Sequence, residues 1–272
     1  MVKHLTTIAG AALDLLLPAR CAGCGSLDAS EPRARGLCAL CVRDIRQQPP
    51  VHWQLGQLGQ LGRLDRLGQL GELGGLQEAF AAAAYDGVVR SALLEYKERG
   101  RLCLRRELAN CLTVSVLAAV HSAVSLDQRD QSATPLLLVP VPSAKATRKA
   151  RGHNPVASMA RTACIHLRAA GLDVRTCDVL RQTRAVADQS GLDIGARYAN
   201  LAGALGVAKP FSVRGQRVIV VDDIVTTGAT ALEAVRALTA AAATVCAVAC
   251  VAATAKRSDI SNGKLRGTVR PG

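Results

Sequence analysis

The chain has 272 residues, room for one sizeable α/β domain and a small accessory module. Hydrophobic residues make up 49%, but aromatics only 2%, so the core must be built from Leu, Val and Ala, and a binder that stacks bases on aromatic platforms is disfavoured. Thirty-four Lys and Arg against 21 Asp and Glu leave a formal charge of +13, which favours anionic partners such as phosphates, nucleic acid or acidic surfaces, with a solubilising surface charge as the plain alternative.

Residues 1–20 read as a short amphipathic helix stopped near Pro18. Asp14 interrupts the apolar stretch and Arg20 stands directly before Cys21, where a secretory or lipoprotein cleavage site would want small residues. No apolar run reaches the ~18 residues of a membrane span. Ten cysteines without a signal peptide point to a reducing cytoplasm. Four of them open the next segment, 21–50. Cys21 and Cys24 form one C-x2-C, Cys38 and Cys41 a second, with 13 residues between. Two such knuckles complete a tetrahedral four-sulfur site suited to structural Zn²⁺; two redox pairs are the alternative. The other six (Cys103, Cys111, Cys164, Cys177, Cys246, Cys250) sit in apolar surroundings and are expected to be buried small residues.

Residues 51–78 hold a Leu-Gly run of period three. On a helix its leucines would spiral around the axis, and each of the seven glycines between 56 and 75 would cost ~1 kcal/mol against Ala. A low-complexity linker is the reading, a leucine-lined interaction segment the alternative. From 79 to 255 the pattern is denser. "YDGVVRSALLEYKERGRLCLRRELANCLTVSVLAAV" predicts helix with a break at Gly100, Pro135 to Val141 a buried strand, and "PVASMARTACIHLRAAG" a helix ending at Gly171. "VIVV" predicts a second buried strand, "ATALEAVRALTAAAA" a helix and "VCAVACVAA" a third strand. This alternation indicates a parallel sheet with helices on its faces. Residues 256–272 form a basic tail, expected to be disordered.

In open parallel sheets ligands bind beyond the carboxyl ends of the strands, and "VIVV" delivers Asp222 and Asp223 to that edge. Thr226, Thr227, Gly228, Ala229 and Thr230 then lead into a helix. Small residues there let backbone N–H groups approach an anion, and the helix N-terminus favours it. Carboxylates beside a phosphate cradle suit the hydroxyls of the sugar that carries the phosphate. The stretch therefore fits a ribose 5-phosphate. There is no P-loop and no dinucleotide fingerprint, and an N-cap alone would explain one Asp or Thr. From Pro140 to Arg168 there are six basic side chains (Lys145, Arg148, Lys149, Arg151, Arg161, Arg168) and no acidic one, the composition of a diphosphate-holding loop or of a solvated basic face.

Val218 to Thr230 resembles the phosphoribosyl-pyrophosphate (PRPP) signature of type I phosphoribosyltransferases. With "YDGVVRSALLEYKERG", "LVPVPSAKATRKARGHN", "VADQSGLDIGARYANLAGA" and the leading "LLLPARCAGCG", the wider chain resembles the ComF-type competence family of amidophosphoribosyltransferase-like proteins. The resemblance implies a type I phosphoribosyltransferase fold, an α/β parallel sheet of about five strands, behind a small N-terminal four-cysteine module of zinc-ribbon type. It implies PRPP at Asp222, Asp223 and 226–230, pyrophosphate at Lys149, Arg151 and Gly152, and a closing segment with Gln189, Arg197 and Asn200. His153, Pro155 and Val186 depart from residues common in the family. The implied activity is transfer of a phosphoribosyl group from PRPP, with Mg²⁺, to an unknown acceptor. Asp222, Asp223 and Arg151 are the catalytic candidates. The alternative is a non-catalytic PRPP sensor that associates with nucleic acid during DNA uptake, and a third reading makes the zinc module and linker a protein-docking arm beside a vestigial site.

Overall fold

The computed structural model describes residues 20–27, 36–54, 78–126, 134–142, 154–186 and 193–254. The expected N-terminal helix, most of the Leu-Gly run, the basic stretch from Lys145 to Gly152, Gln189 and the C-terminal tail lie outside the described residues.

Among the described residues, eight strands and six α-helices follow one another: α1 Ala39–Gln47, β1 Val51–Gln54, β2 Glu78–Ala84, α2 Gly87–Glu98, α3 Arg105–Leu126, β3 Leu136–Pro140, α4 Pro155–Ala169, β4 Val174–Thr176, β5 Leu180–Gln182, α5 Ile194–Leu201, β6 Leu205–Val207, β7 Arg217–Val225, α6 Ala229–Ala240 and β8 Thr244–Ala253. The main sheet runs β1-β2-β8-β7-β3-β4. Five of these strands are parallel, and β1 joins antiparallel at the edge. β5 and β6 form a separate antiparallel pair. The mostly parallel sheet with flanking helices is the α/β class expected of a phosphoribosyltransferase fold. No helix among the described residues is long and apolar enough to cross a membrane.

Several helices begin where the sequence supplies a cap. Asp86 accepts from the Gly87 amide, Asn154 from that of Ala157 ahead of Pro155 at the first turn, and Asp193 from that of Ala196. The predicted break at Gly100 separates α2 from α3, with a 3₁₀ turn at Leu102–Leu104 between them.

Alternation along the central strands sorts the core into two layers. Ile219, Val221, Leu138 and Ala249 face α2, α3 and α4 through Leu93, Tyr96, Leu108, Leu112, Met159 and Leu167. Val218, Val220, Val139 and Val248 face α6 and the small sheet through Ala234, Leu238, Leu180 and Leu205. Leucine, valine and alanine fill both layers, as the scarcity of aromatics requires.

Three features differ from expectation. Val51–Gln54 and Glu78, within the stretch read as linker, are sheet residues, and His52 stacks on Phe80 with ring centroids 5.0 Å apart. The alanine-rich β2 is not recognisable as a strand from its composition; it pairs with β8, built of Ala, Val and Cys, and Ala79, Ala81 and Ala83 are wholly buried. Of the six cysteines expected to be buried, Cys111, Cys164 and Cys250 are, but Cys103 is exposed, and Cys177 and Cys246 are half-buried. Cys103 lies in the 3₁₀ turn after α2, where neighbouring Leu104 alone points inward.

The cysteine segment is part of this body. Cys21, Ala22, Leu37, Cys41 and Ile45 share one core with Val89, Leu93, Leu104 and Leu108. Arg46 of α1 donates to both carboxylate oxygens of buried Glu107 on α3, at 3.2 and 3.0 Å.

Candidate functional site

The crossover through α4 carries the chain from β3 outward to β4, and the crossover through α6 carries it from β7 the opposite way to β8. β3 and β7 are neighbours, so their carboxyl ends flank the point where the chain path diverges, the position at which open α/β sheets hold ligands. The loop after β7 opens a cavity lined by Asp222, Thr226, Thr227, Gly228, Ala229 and Thr230, with Ile224, Val225, Ala231 and Cys250 beneath. Six of the seven residues expected to hold PRPP therefore meet in one concave surface.

Backbone geometry builds this cradle. Gly228 takes the left-handed conformation (φ 80°), which any side chain would strain, and it stands as N-cap of α6 with no side-chain cap bond. The first amides of a three-turn helix thus face the cavity without a side-chain acceptor, apart from a long 3.4 Å contact from Ala229 N to Thr227 Oγ1. The loop is anchored from two sides. Thr254, just after β8, donates its amide to Val225 O at 3.0 Å, and Tyr198 of α5 donates its hydroxyl to Thr227 O at 2.7 Å. Tyr198 and Leu201 also pack on Ala229.

The two aspartates separate. Asp222 is half-buried and lines the cavity. Asp223, its successor on the strand, is buried and meets Lys97 of α2, with Nζ 2.6 Å from Oδ2. The Asp223 amide donates to Asp222 Oδ1 at 2.8 Å. Burial pushes the Asp222 carboxyl up to about 8, and the neighbouring Asp223 charge adds to it, while Lys97 and the amide bond pull the other way. Burial works against the Lys97 charge, yet Asp223 and then Asp222 hold its ammonium above its ordinary value.

Of the expected closing residues, Arg197 and Asn200 sit on α5 beside the cradle helix. Arg197 is half-buried, and its Nε is enclosed without a hydrogen-bond partner. The Asn200 carbonyl accepts from Arg184 at 2.9 Å. On α4, Arg161 is exposed and Arg168 likewise. Lys149, Arg151, Gly152 and Gln189 lie outside the described residues.

Sequence reasoning missed two participants. Lys97 falls at i+4 and i+8 from the buried Leu93 and Val89, so the helical stripe already aimed it inward. Tyr198 lies in a quoted stretch, but nothing in spacing marks its hydroxyl as the anchor of a loop 29 residues away.

At the opposite end of α2 the sulfurs of Cys21, Cys24, Cys38 and Cys41 all lie within 4.8 Å of one another, those of Cys24 and Cys38 at 3.9 Å. Tetrahedral Zn–S bonds of ~2.3 Å place sulfurs ~3.8 Å apart, whereas a disulfide needs ~2.0 Å. Amides of Gly23 and Cys38 donate to Cys21 Sγ at 3.4 and 3.3 Å. Burial opposes ionisation of Cys21, but the backbone donors of Cys24, Cys38 and Gly23, with the Cys41 thiol, outweigh it and bring the thiol down to about 6. The donor set fits a structural Zn²⁺, all four positions being sulfur. Gly23 is required by close approach: a Cβ there would lie 2.7 Å from Val88 Cγ1 and 2.8 Å from Cys41 Sγ.

Residues 158–268 match the phosphoribosyl transferase domain family. The match runs from α4 through the small sheet and the cradle to beyond β8, and it supports a type I phosphoribosyltransferase-like domain. No curated protein matches the chain.

Proposed function

We propose that the chain binds PRPP at the carboxyl ends of β3 and β7 and transfers its phosphoribosyl group to an acceptor, releasing pyrophosphate. The observation that carries this reading is the shared cavity of Asp222 with residues 226–230, at the head of α6. The 5-phosphate takes the amides of 227–230 and the positive end of the helix; the ribose hydroxyls donate to Asp222. Lys149, Arg151 and Gly152, between β3 and α4 in the sequence, are assigned to the leaving pyrophosphate, and Gln189, Arg197 and Asn200 to the segment that closes over it. Mg²⁺ bound with the diphosphate would supply further charge neutralisation for the leaving group.

In the reaction the acceptor's lone pair forms a bond to the anomeric carbon while the bond to the pyrophosphate oxygen breaks. The departing oxygen keeps the electron pair. Basic residues after β3 stabilise that charge, and Asp222 fixes the ribose so that the developing oxocarbenium stays aligned. Cys21, Cys24, Cys38 and Cys41 hold a structural Zn²⁺ that takes no part in the chemistry.

The test is calorimetric titration of PRPP with Mg²⁺ into the wild type and into Asp222→Ala/Asp223→Ala, with pyrophosphate release followed in parallel. Binding by the wild type and none by the double variant is expected. Equal binding by both would remove the site assignment. Binding without release against any nucleobase, amine or cell extract would make the protein a PRPP sensor.

A further inference from the structure

Asp222 and Asp223 differ in burial and in partner, so a ligand in the cradle meets them unequally. Asp222 lines the cavity, while the Asp223 side chain is 8% exposed and ion-paired to Lys97, itself 28% exposed. We infer that Lys97 is a positioning residue: its ion pair holds buried Asp223 against α2, which leaves Asp222 to line the cradle and receive the ligand's hydroxyls. The inference rests on the PRPP reading of the cradle.

The placement of Lys97 is set by packing. Val89 and Leu93 precede it along one face of α2 and are buried in the core, so the stem of Lys97 continues that stripe and its ammonium ends at Asp223. A lysine at the solvent side of the helix would have no reason to give up water. Here two carboxylates compensate for that loss.

The other groups facing the pair do not replace it. On α2, Glu98 acts on Lys97 in the same sense as the aspartates, and Tyr96 is a buried phenol whose hydroxyl donates to Pro155 O at 3.3 Å. On β8, Cys250 is wholly buried, and burial with both carboxylates keeps its thiol protonated. Arg105 of α3 and Arg161 of α4 act on the Tyr96 phenol from exposed positions. Among the described residues, Lys97 is the cation in direct contact with the acidic pair.

Without the ammonium, the pull that Lys97 exerts against the raised Asp222 carboxyl is lost, and Asp222 ionises only above the about 8 of the intact protein. Asp223 also loses its ion-pair partner. A ligand whose hydroxyls need a carboxylate acceptor then binds more weakly still at neutral pH.

The experiment measures the affinity of Mg²⁺–PRPP between pH 6 and 9.5 for the wild type, Lys97→Met and Lys97→Arg, with circular dichroism and melting to establish that each is folded. Lys97→Met is expected to bind tenfold or more weakly at pH 7, with the rise in affinity displaced to higher pH. Lys97→Arg is expected to stay within about threefold and to keep the wild-type profile. Should Lys97→Met not fold, Lys97→Gln, which keeps most of the stem without the charge, carries the same comparison. Wild-type affinity in the neutral variant, or a loss equal at every pH, overturns the inference and leaves the cradle reading intact. A wild type that does not bind PRPP overturns both.

Discussion

Asp222→Asn separates what the carboxylate costs the fold from what it gives the ligand. Asparagine keeps the oxygen that accepts from the Asp223 amide, so the local geometry survives and only the titration is removed. In the folded protein Asp222 holds its proton up to about 8, against 3.8 for an ordinary carboxyl. The raised value means that the folded state binds the proton more tightly than the unfolded chain. This group's contribution to stability is therefore fully present below about pH 4 and is lost as pH rises through about 8. Between pH 5 and pH 8 about three pH units at ~1.4 kcal/mol each give ~4 kcal/mol for a fully shielded group. Water reaches Asp222 from the cavity side, and ~2 kcal/mol is the expected share. The asparagine variant carries none of it. In ligand-free melts the advantage of Asp222→Asn over the wild type should widen by roughly 4–8 °C between pH 5 and pH 9. The same variant should fail to hold PRPP in calorimetry at pH 9, where the wild-type carboxyl is ionised. A melting difference that does not change with pH, or a variant less stable at pH 9, would refute the account of this carboxyl.

Two further outcomes are expected. Gly23→Ala forces a methyl against Val88 and Cys41 Sγ, costing ~1–3 kcal/mol, and should lower both bound zinc (by elemental analysis) and the melting temperature; wild-type metal content would argue against a zinc site built on that knuckle. Tyr198→Phe removes the 2.7 Å bond to Thr227 O, worth ~1 kcal/mol, and should weaken PRPP binding roughly fivefold with little change in fold; unchanged affinity would mean the loop needs no anchor from α5.

Much of the architecture was legible because its signals are local. Four apolar residues followed by two acids and a small-residue loop mark a strand, an edge and a helix head; the cradle and α6 lie where that pattern puts them, while β7 runs on through both aspartates to Val225. The two C-x2-C pairs announced the sulfur cluster in the same way. What was not legible depends on partners distant in sequence. "EAFAAAA" has the composition of a helix, and it becomes a strand because β8 offers a ladder of small residues across which α3 can pack closely. β4, β5 and β6 are three residues each, too short for any periodicity to register. That the partner of Asp223 is Lys97 follows from the way α2 packs across the sheet.

The stripe of α2 has a consequence for how the chain assembles. Its first turn carries Val88, against which the cysteine knuckle closes, and its last carries Lys97, ~13 Å further along the axis. The knuckle residues 21–41 are synthesised early, yet the apolar wall that backs them, from Val89 to Leu108, follows much later in the chain. The sulfur site therefore reaches its final enclosure only when the α/β body begins to fold. A shortened chain that starts at β2 would present the bare side of α2 to water. The amino-terminal segment is in this sense the first half of a core whose second half arrives with the sheet.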